Sequence, residues 1–249
     1  MDMFKVAIVA ALEREIAPLV RGSGSRSKDW RVREQEAGGR RFRFFEKGDV
    51  VMVCGGIGAE AARRAAEAVI ALYAPKVVFS AGFAGALDPG LRVADIIQPG
   101  RVVNAGDGSS VKLNRGEGVL VSFGAVASAA QKAKLRASFG AKAVDMEAAS
   151  VARAAEARGV GLAVVKVISD EFDFSFPAME RFVDPSGRFL EGRFTRFVAL
   201  RPWLWPRVLQ LARNSGRASR ALCDWLRKMD AASMANVFSG ESVQAANRP

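Results

Sequence analysis

Two acidic residues of this chain stand where apolar, strand-like runs come to an end. Glu147 follows the run 143–146, and Asp170 follows the run 164–169. In α/β sheets, ligands bind beyond the carboxyl ends of parallel strands, so carboxylates there can serve a site as acids, bases or hydrogen-bond acceptors. A structural role fits the pattern equally well, because the helix dipole favours a carboxylate such as Glu147 in a first helical turn and Asp170 suits a turn.

The composition narrows the chemistry that such carboxylates could share. The 249 residues include no histidine and two cysteines, Cys54 and Cys223, which lack the spacing of metal ligands. Imidazole catalysis, the usual zinc sites and a disulfide framework are therefore excluded. Acid–base chemistry falls to carboxylates, lysine, tyrosine or the substrate itself, and we expect neither a metal nor a cofactor.

Length and hydropathy indicate one large α/β domain. No apolar run reaches the roughly 18 residues of a membrane-spanning helix, and the apolar start of the chain is too short for a signal peptide. Strand-like runs alternate with helical patterns, which predicts a layered sheet. The predicted strands are 4–11, 41–46, 50–54, 76–80, 93–98, 119–122 and 162–168, the helices are 59–73, 131–139 and 146–158, and the turns or loops are 22–28, 55–58, 81–86 and 104–118.

The last fifth of the chain differs in charge from the rest. The segment 181–228 holds eleven basic and three acidic residues, and thus +8 of the net charge of +11. A basic amphipathic helix beside tryptophans is typical of elements that lie on anionic membranes, and equally of a helix packed on its own domain. Residues 206–229 predict such a helix after Trp203 and Trp205, with an apolar face of Val208, Leu211, Ala218, Leu222, Trp225, Leu226 and Met229.

These patterns divide the chain into three parts. We predict a domain over 1–200, a basic amphipathic helical extension over 201–229 and a poorly ordered tail over 230–249. The basic segment lacks a recognisable nucleic-acid-binding module, so nucleic acid is not an expected partner. We expect a cytoplasmic protein, with peripheral contact to the inner membrane surface if the amphipathic helix binds anionic lipid.

Four motifs, in order along the chain, carry a resemblance to a known family. They are Ala10-Ala11-Leu12-Glu13-Arg14-Glu15-Ile16, Gly56-Ile57-Gly58, Ala81-Gly82-Phe83-Ala84-Gly85-Ala86, and the pair Val144-Asp145-Met146-Glu147-Ala148 and Ile168-Ser169-Asp170. With them, the stretch from Phe4 to about Asp173 resembles the nucleoside phosphorylase/nucleosidase superfamily, which includes methylthioadenosine/adenosylhomocysteine nucleosidase. Each motif is weak alone, whereas their order and spacing make the resemblance specific.

The resemblance implies a three-layer α/β/α sandwich around a mixed, twisted central sheet. It also implies cleavage of the N-glycosidic bond between a purine and ribose. Asp170 would supply a proton towards purine N7, Glu15 would position or activate water, and Met146 and Glu147 would embrace the ribose. Asp170 can donate at neutral pH only in surroundings that keep its carboxyl protonated, which burial or a neighbouring carboxylate would provide.

The chain departs from the family at the place where phosphorylases bind phosphate. Those enzymes present an arginine and a serine or threonine where this chain has Ser80 and Phe83. Backbone amides of glycine turns can still bind phosphate, and the candidate phosphate ligands are Gly58, Arg14 and Arg43. Water and inorganic phosphate, the latter as a co-substrate, therefore both stay open as the nucleophile.

The chain also departs from the family around the substrate. Val126 stands where methylthioadenosine nucleosidases supply a purine-stacking aromatic; Phe123 could replace it, although core packing explains Phe123 equally well. The region 103–119 is shorter than in that enzyme, which implies an open pocket that admits a bulky 5′ substituent. The expected substrate-binding residues are thus Met146, Glu147, Phe83, Val126, Ser169 and Phe123.

These departures resemble one subfamily, the hopanoid-biosynthesis-associated nucleoside phosphorylases. The similar features are the shortened middle region, Lys132-Ala133-Lys134-Leu135-Arg136, and the long basic extension from Phe197-Val198-Ala199-Leu200-Arg201-Pro202. The resemblance implies release of adenine from adenosylhopane, a triterpenoid lipid attached to C5′ of adenosine. Two alternatives stay open: a soluble methylthioadenosine/adenosylhomocysteine nucleosidase, and a non-catalytic relative that binds membrane or nucleic acid. Relatives are dimers or hexamers, so a homo-oligomer is compatible with the resemblance.

Overall fold

The computed structural model describes residues 5–21, 30–176, 179–184 and 186–229. The predicted loop at 22–28 and the predicted tail over 230–249 lie outside these residues. The strands are β1 Val6–Ala10, β2 Arg31–Ala37, β3 Arg40–Lys47, β4 Val50–Cys54, β5 Val77–Ala86, β6 Ile96–Ile97, β7 Arg101–Asn104, β8 Ser110–Lys112, β9 Val119–Ser122, β10 Ala143–Asp145 and β11 Gly161–Asp170. The α-helices are α1 Glu13–Arg21, α2 Ala59–Tyr73, α3 Ala129–Phe139, α4 Ala148–Glu156, α5 Glu191–Ala199 and α6 Trp205–Lys228.

All of these strands belong to one mixed sheet. Its order is β2-β3-β4-β1-β5-β10-β9-β7-β8, with β11 paired to β5 and β6. The inner pairs β1/β4, β1/β5, β5/β11, β9/β10 and β7/β9 are parallel. The pairs β2/β3, β3/β4, β5/β10, β7/β8 and β6/β11 are antiparallel. The predicted mixed central sheet is therefore confirmed.

Helices cover both faces of the sheet and complete three layers. On one face, α2 and α4 pack over the strands, and Ala62, Val69 and Val151 lie in that core. On the other face, α1 and α6 pack, and Ile16 and Leu222 are buried against β1, β5 and β11. Burial of apolar helix faces against a sheet is the arrangement that hydrophobic burial favours for alternating strands and helices. The predicted three-layer sandwich is confirmed.

The segment 81–86 differs from the prediction. The sequence predicted a glycine turn there, but β5 continues as extended strand to Ala86, because β11 runs beside it and supplies hydrogen bonds along nearly its whole length. The predicted loop at 104–118 likewise contains β8, which pairs with β7. Partners from distant parts of the chain thus override the local preference of glycine and polar residues for turns.

The predicted amphipathic helix is α6, and its apolar face packs on the domain. Ala218, Leu222 and Leu226 are buried in the core shared with α1 and β11, and Trp225 and Met229 pack at its edge. That face is therefore covered by protein. Other apolar side chains of this region are exposed, namely Leu200, Trp203, Trp205 and Leu209, by 68, 70, 52 and 58%. Within the described ranges, no helix is long and apolar enough to cross a bilayer.

Candidate active site

A break in the pairing along one edge of β5 creates a pocket. β1 pairs with residues 77–80 of β5 and β10 pairs with residues 85–86, while β11 takes the opposite edge along nearly the whole strand. In the described part of the chain, residues 81–84 therefore have no strand beside them on the β1 edge. The ends of β1, β10 and β11 and the turn after β4 all open onto this gap.

The pocket brings together most of the predicted site residues. Those that line it are Arg14, Glu15, Phe83, Val126, Met146, Glu147, Ser169 and Asp170. Gly58, Arg43 and Phe123 are not among its lining residues. Phe123 packs against the buried cluster around Leu87 and Val121, and Arg43 pairs at the surface with Glu13 and Glu34, at 3.0 and 3.7 Å.

Glu15 occupies the turn between β1 and α1. Its Oε2 accepts hydrogen bonds from the backbone N–H groups of Ala11 and Leu12, at 3.0 and 3.3 Å. Gly82 of β5 leaves room for this carboxylate, since a Cβ there would lie 2.9 Å from Oε2. Burial raises the pKa of Glu15, against the opposing influence of the Lys166 ammonium. A buried carboxyl with a raised pKa is suited to accept a proton near neutral pH.

Asp145 and Lys166 form a fully buried ion pair behind the pocket. Lys166 Nζ lies 2.8 Å from Asp145 Oδ2, with side-chain exposures of 2% and 0%. Asp145 also accepts hydrogen bonds from the Ser122 hydroxyl, at 2.5 Å, and from the backbone N–H of Ala148, at 2.8 Å. Burial disfavours the Lys166 ammonium, but the carboxylates of Asp145 and Glu147 outweigh it and raise its pKa. A permanent positive charge thus lies beneath the carboxylates of the site.

Glu147 connects two of the predicted motifs directly. It precedes α4, and its Oε1 accepts a hydrogen bond of 2.9 Å from the backbone N–H of Gly58. Its Oε2 lies 3.2 Å from the backbone N–H of Met146. Burial and the nearby Asp145 carboxylate raise the pKa of Glu147 to about 7, despite Lys166. Gly58 therefore orients Glu147 and does not present a free amide to the pocket.

Asp170 lies at the end of β11, where the pairing with β5 changes register after Ile168. Its Oδ1 accepts a hydrogen bond from the Ser169 hydroxyl at 2.8 Å, and its Oδ2 lies 2.5 Å from Lys132 Nζ. Burial or a neighbouring carboxylate was expected at this position. The structure places the Lys132 ammonium there instead.

Sequence analysis missed the two lysines of the site. Lys166 carried a signal, because it interrupts an otherwise apolar strand, where a lysine is buried only with a partner. Lys132 carried none, because it lies among Lys134 and Arg136 in a helix that reads as solvated. Phe189 was missed as well; it lines the pocket, and the Arg14 guanidinium lies 5.5 Å from the centre of its ring.

The arrangement as a whole can separate charge across a bound molecule. Glu15 lies at Gly82 of β5 with Glu147 near it, where they could stabilise a cation or accept a proton, and Asp170 lies at Gly85, three residues further along the strand, where a proton could be delivered. Among the residues that the structure describes, no group of three or more His, Cys, Asp or Glu side chains could hold a metal ion. Acid–base chemistry by carboxylates and lysines is what these side chains support.

Comparisons with known proteins identify the family and the fold of the chain. A family profile described as the phosphorylase superfamily matches residues 5–122 and 116–184. Among solved structures, the chain is similar to Helicobacter pylori 5′-methylthioadenosine/S-adenosyl homocysteine nucleosidase, with 19% identity over 92% of this chain and 98% of that chain and a TM-score of 0.66. It is similar to futalosine hydrolase of Helicobacter pylori, with 21% identity over 90% and 98% of the two chains and a TM-score of 0.62.

A third similar structure is a methylthioadenosine/adenosylhomocysteine nucleosidase from Colwellia psychrerythraea in complex with adenine. Identity is 24% over 69% of this chain and 85% of that chain, with a TM-score of 0.57. At these identities the structural likeness establishes the fold. No curated protein matches the sequence. The family profile covers well over half of the residues, and the chain belongs to the phosphorylase superfamily.

Proposed function

We propose that this protein hydrolyses the N-glycosidic bond of a purine nucleoside, with water as the nucleophile. The observation that carries the proposal is the state of the backbone amides around the pocket. The N–H groups of Gly55, Gly56 and Ile57 donate to the carbonyls of Ala10, Ala11 and Gly187, at 2.9, 2.9 and 2.7 Å. Together with the bonds from Gly58 to Glu147 and from Ala11 and Leu12 to Glu15, these contacts occupy the amides that a phosphate would need.

Charge supports the same conclusion. A phosphate dianion beside Glu15 and Glu147 would meet two carboxyl groups, and Lys166 is already paired with Asp145. A neutral water molecule meets no such repulsion and finds a proton acceptor in Glu15. As the glycosidic bond breaks, the ribose gains positive charge, which the carboxylates Glu15 and Glu147 stabilise. The purine gains negative charge, which protonation from the Asp170 side relieves.

The first experiment measures release of free base and of ribose, with and without phosphate. We expect the rate of base release to be the same with and without phosphate. We also expect ¹⁸O from labelled water to be incorporated into the ribose product. Strict dependence on phosphate would overturn the proposal of hydrolysis; in that case Arg14, which lines the pocket, is the first phosphate ligand to substitute. Asp170→Asn should lower kcat by about 10²–10⁴-fold, the range for a lost general acid.

For the substrate, we propose a 5′-substituted adenosine whose substituent is a lipid, as in release of adenine from adenosylhopane. Three apolar side chains line the pocket, namely Val126, Val183 and Phe189, and Val126 is exposed by 39%. Phe189 continues into an aromatic cluster through Phe194, whose ring centre lies 5.4 Å away. These side chains suit an apolar substituent.

A series of 5′-alkylthioadenosines tests this choice of substrate. If the substituent is lipid-like, KM should fall as the chain lengthens from methyl to octyl, by up to about fourfold for each methylene that becomes buried. Efficient hydrolysis of methylthioadenosine with a KM that does not change along the series would favour the alternative, a methylthioadenosine/adenosylhomocysteine nucleosidase. A protein that is inactive on every compound of the series would favour the non-catalytic alternative.

We also propose that the protein meets such a substrate at an anionic membrane. The exposed side chains Leu200, Trp203, Trp205 and Leu209 form an apolar patch that supports this proposal. The segment 192–223 around it contains seven arginines and no acidic residue. Tryptophan and arginine side by side favour the interface of an anionic bilayer.

Co-sedimentation with vesicles tests the membrane proposal. Binding should require phosphatidylserine and should decrease with Trp203→Ser and Leu209→Ser, whereas Val32→Ser, an exposed valine on edge strand β2, serves as the matched control. Point substitutions are preferable to deletion, because removing 201–229 would also take Leu222 from the core. Equal binding of all variants, or none by wild type, would reject the membrane role.

A further inference from the structure

Lys132 is a buried lysine whose surroundings are built around its charge. It is 1% exposed, whereas Lys134 and Arg136 of the same helix are exposed. Its Nζ lies 2.5 Å from Asp170 Oδ2 and donates to the carbonyls of Glu171 and Phe174, at 2.6 and 3.2 Å. An ammonium has three donors, and all three are used. Such complete coordination offsets the large cost of burying a cation.

Gly85 of β5 makes this contact possible. A Cβ at this position would lie 2.8 Å from Asp170 Oδ2 and 3.2 Å from Lys132 Cε. Three elements therefore combine at one point: α3 supplies the ammonium, β11 supplies the carboxylate, and β5 leaves the space in which they meet. Because Lys132 and Asp170 are 38 residues apart in sequence, this pair is a property of the tertiary fold.

The pair determines where the proton for the leaving purine is held. Lys132 and Asp170 form an ion pair, in which Lys132 is the ammonium and Asp170 the carboxylate. Asp170 in turn faces the pocket, with Ser169 fixing its second oxygen. A proton that Asp170 takes from Lys132 over this single 2.5 Å contact can pass on to the substrate.

We propose that Lys132 supplies, through Asp170, the proton that the purine takes up when the glycosidic bond breaks; this inference rests on the proposed function. Lys132 passes a proton to the Asp170 carboxylate and becomes a neutral amine. As the C1′–N9 bond breaks, its electron pair passes to the purine, whose N7 receives that proton from Asp170, so Asp170 ends as a carboxylate again. Water adds to C1′ and loses a proton to Glu15. Solvent then returns a proton to Lys132 and removes one from Glu15, so the balance closes. Lys132 acts only through Asp170, as a positioning residue that also holds the proton.

The test compares two leaving groups in full-length Lys132→Gln enzyme. Glutamine keeps hydrogen-bond donors at this position but releases no proton. With 5′-methylthioadenosine, kcat should fall by about 10²–10⁴-fold while KM changes little, because a proton donor is lost from the chemical step. With 4-nitrophenyl riboside, whose leaving group departs as a stable anion, kcat should stay at the wild-type value. Lys134→Met, on the exposed side of the same helix, is the matched control and should leave both rates unchanged.

The alternatives give different results. Equal loss on both substrates would mean that Lys132 only maintains the shape of the site, and no loss on either would mean that it has no role; both outcomes overturn the proposal. Lys132→Arg keeps the charge without a transferable proton, so recovery of purine hydrolysis by this variant would also overturn it. If Lys132→Gln does not fold, as judged by circular dichroism, Lys132→Arg carries the test: it should lose turnover of 5′-methylthioadenosine and keep turnover of 4-nitrophenyl riboside. Wild-type enzyme that cleaves neither substrate would instead refute the proposed function.

Discussion

The two ends of the pocket hold their carboxylates in opposite ways. At the end that the proposed function assigns to the ribose (the ribose end), Glu15, Asp145 and Glu147 share one buried cation, Lys166, and the pKa values of both glutamates are raised. At the end that it assigns to the purine (the base end), one carboxylate, Asp170, has a lysine of its own, Lys132. The ribose end thus has three carboxyl groups for one cation, whereas the base end has one of each. This asymmetry matches a reaction in which the sugar becomes positive and the departing base negative.

The two buried lysines, Lys166 and Lys132, also differ in how far their partners are exposed. Lys166 pairs with a carboxylate that is completely buried, whereas Asp170, the partner of Lys132, keeps 24% of its side chain exposed towards the pocket. The first pair is sealed and cannot reach a substrate. The second pair is open on one side and can. We therefore expect removal of Lys166 to affect stability most and removal of Lys132 to affect turnover most.

The largest expected effect is that of Lys166→Met on folding. It leaves Asp145 charged, buried and without its cation, which should lower the free energy of unfolding by about 3–5 kcal/mol. Urea denaturation measures this loss. The double variant with Asp145→Asn should recover part of it, and Lys132→Met should cost less than Lys166→Met because Asp170 can reach water. A larger loss for Lys132→Met would contradict the distinction between the sealed and the open pair.

Glycine-to-alanine substitutions in β5 test how closely the carboxylates at the two ends of the pocket are positioned, because each adds one methyl group beside one carboxylate. Gly82→Ala places a Cβ 2.9 Å from Glu15 Oε2, at a φ of +151° that is itself unfavourable, and Gly85→Ala places one 2.8 Å from Asp170 Oδ2. We expect each to lower kcat by about 10²-fold, the effect of displacing a reacting group by roughly 1 Å. Steady-state kinetics measure it. Gly216→Ala on α6 meets no atom within 4 Å and is the control; an equal effect there would refute the steric argument.

Glu147→Gln should lower turnover and raise the free energy of unfolding, and the gain in stability should appear only at higher pH. The folded protein holds the Glu147 proton up to a pKa of about 7, compared with 4.5 as the ordinary value, so ionisation costs folding energy as the pH rises through this window. Glutamine removes that cost. The variant should match wild type near pH 4.5 and exceed it by about 1–3 kcal/mol above pH 8.

Thermal unfolding across this pH range measures the effect of Glu147→Gln. A difference in stability between variant and wild type that does not change with pH would show that Glu147 does not titrate in this window. Turnover of the variant provides a second readout. It should fall, because the amide lacks the negative charge that stabilises a positive ribose.

The smallest expected effect is that of Arg43→Ala. Arg43 pairs with Glu13 and Glu34 at the surface, outside the pocket lining, and exposed pairs contribute about 0–1 kcal/mol. Unfolding should change within this range, and the rate of hydrolysis should be the same with and without phosphate. A phosphate-stimulated rate that disappears in this variant would return Arg43 to the list of phosphate ligands.

Sequence patterns predicted best those elements whose signals are local. The helix α2 was predicted at 59–73 and forms there, because an alanine-rich periodic run ends before Pro75. The strand β9 was predicted at 119–122 and forms there as well. In contrast, β2 was not predicted, because Arg31–Ala37 alternates without an apolar face and pairs as an edge strand with β3 across Gly38-Gly39.

The site was predictable only in part for a related reason. Glu15, Glu147 and Asp170 end or follow predicted elements, so topology brings them together at one edge of the sheet. The lysines that set their charge come from a helix and a strand interior, and their burial depends on contacts that span the chain. Phe123 lies outside the pocket lining for the same reason. Its side chain packs against the cluster with Leu87 and Val121, a contact that local sequence does not reveal.

The helix α6 has a consequence for how this protein can change over evolutionary time. The Ser219 hydroxyl lies 2.8 and 3.1 Å from the carbonyl oxygens of Arg14 and Glu15, and Leu222 fills the core beside them. A lineage that lost this half of the helix would have to rebuild the support of Glu15. The preceding half exposes Trp205 and Leu209 to solvent, and these side chains do not support Glu15. We therefore expect the two halves to diverge at different rates among descendants. The sequence of the half with Ser219 and Leu222 should change little as long as Glu15 is used, whereas the half with Trp205 and Leu209 should vary with the surface that each descendant contacts.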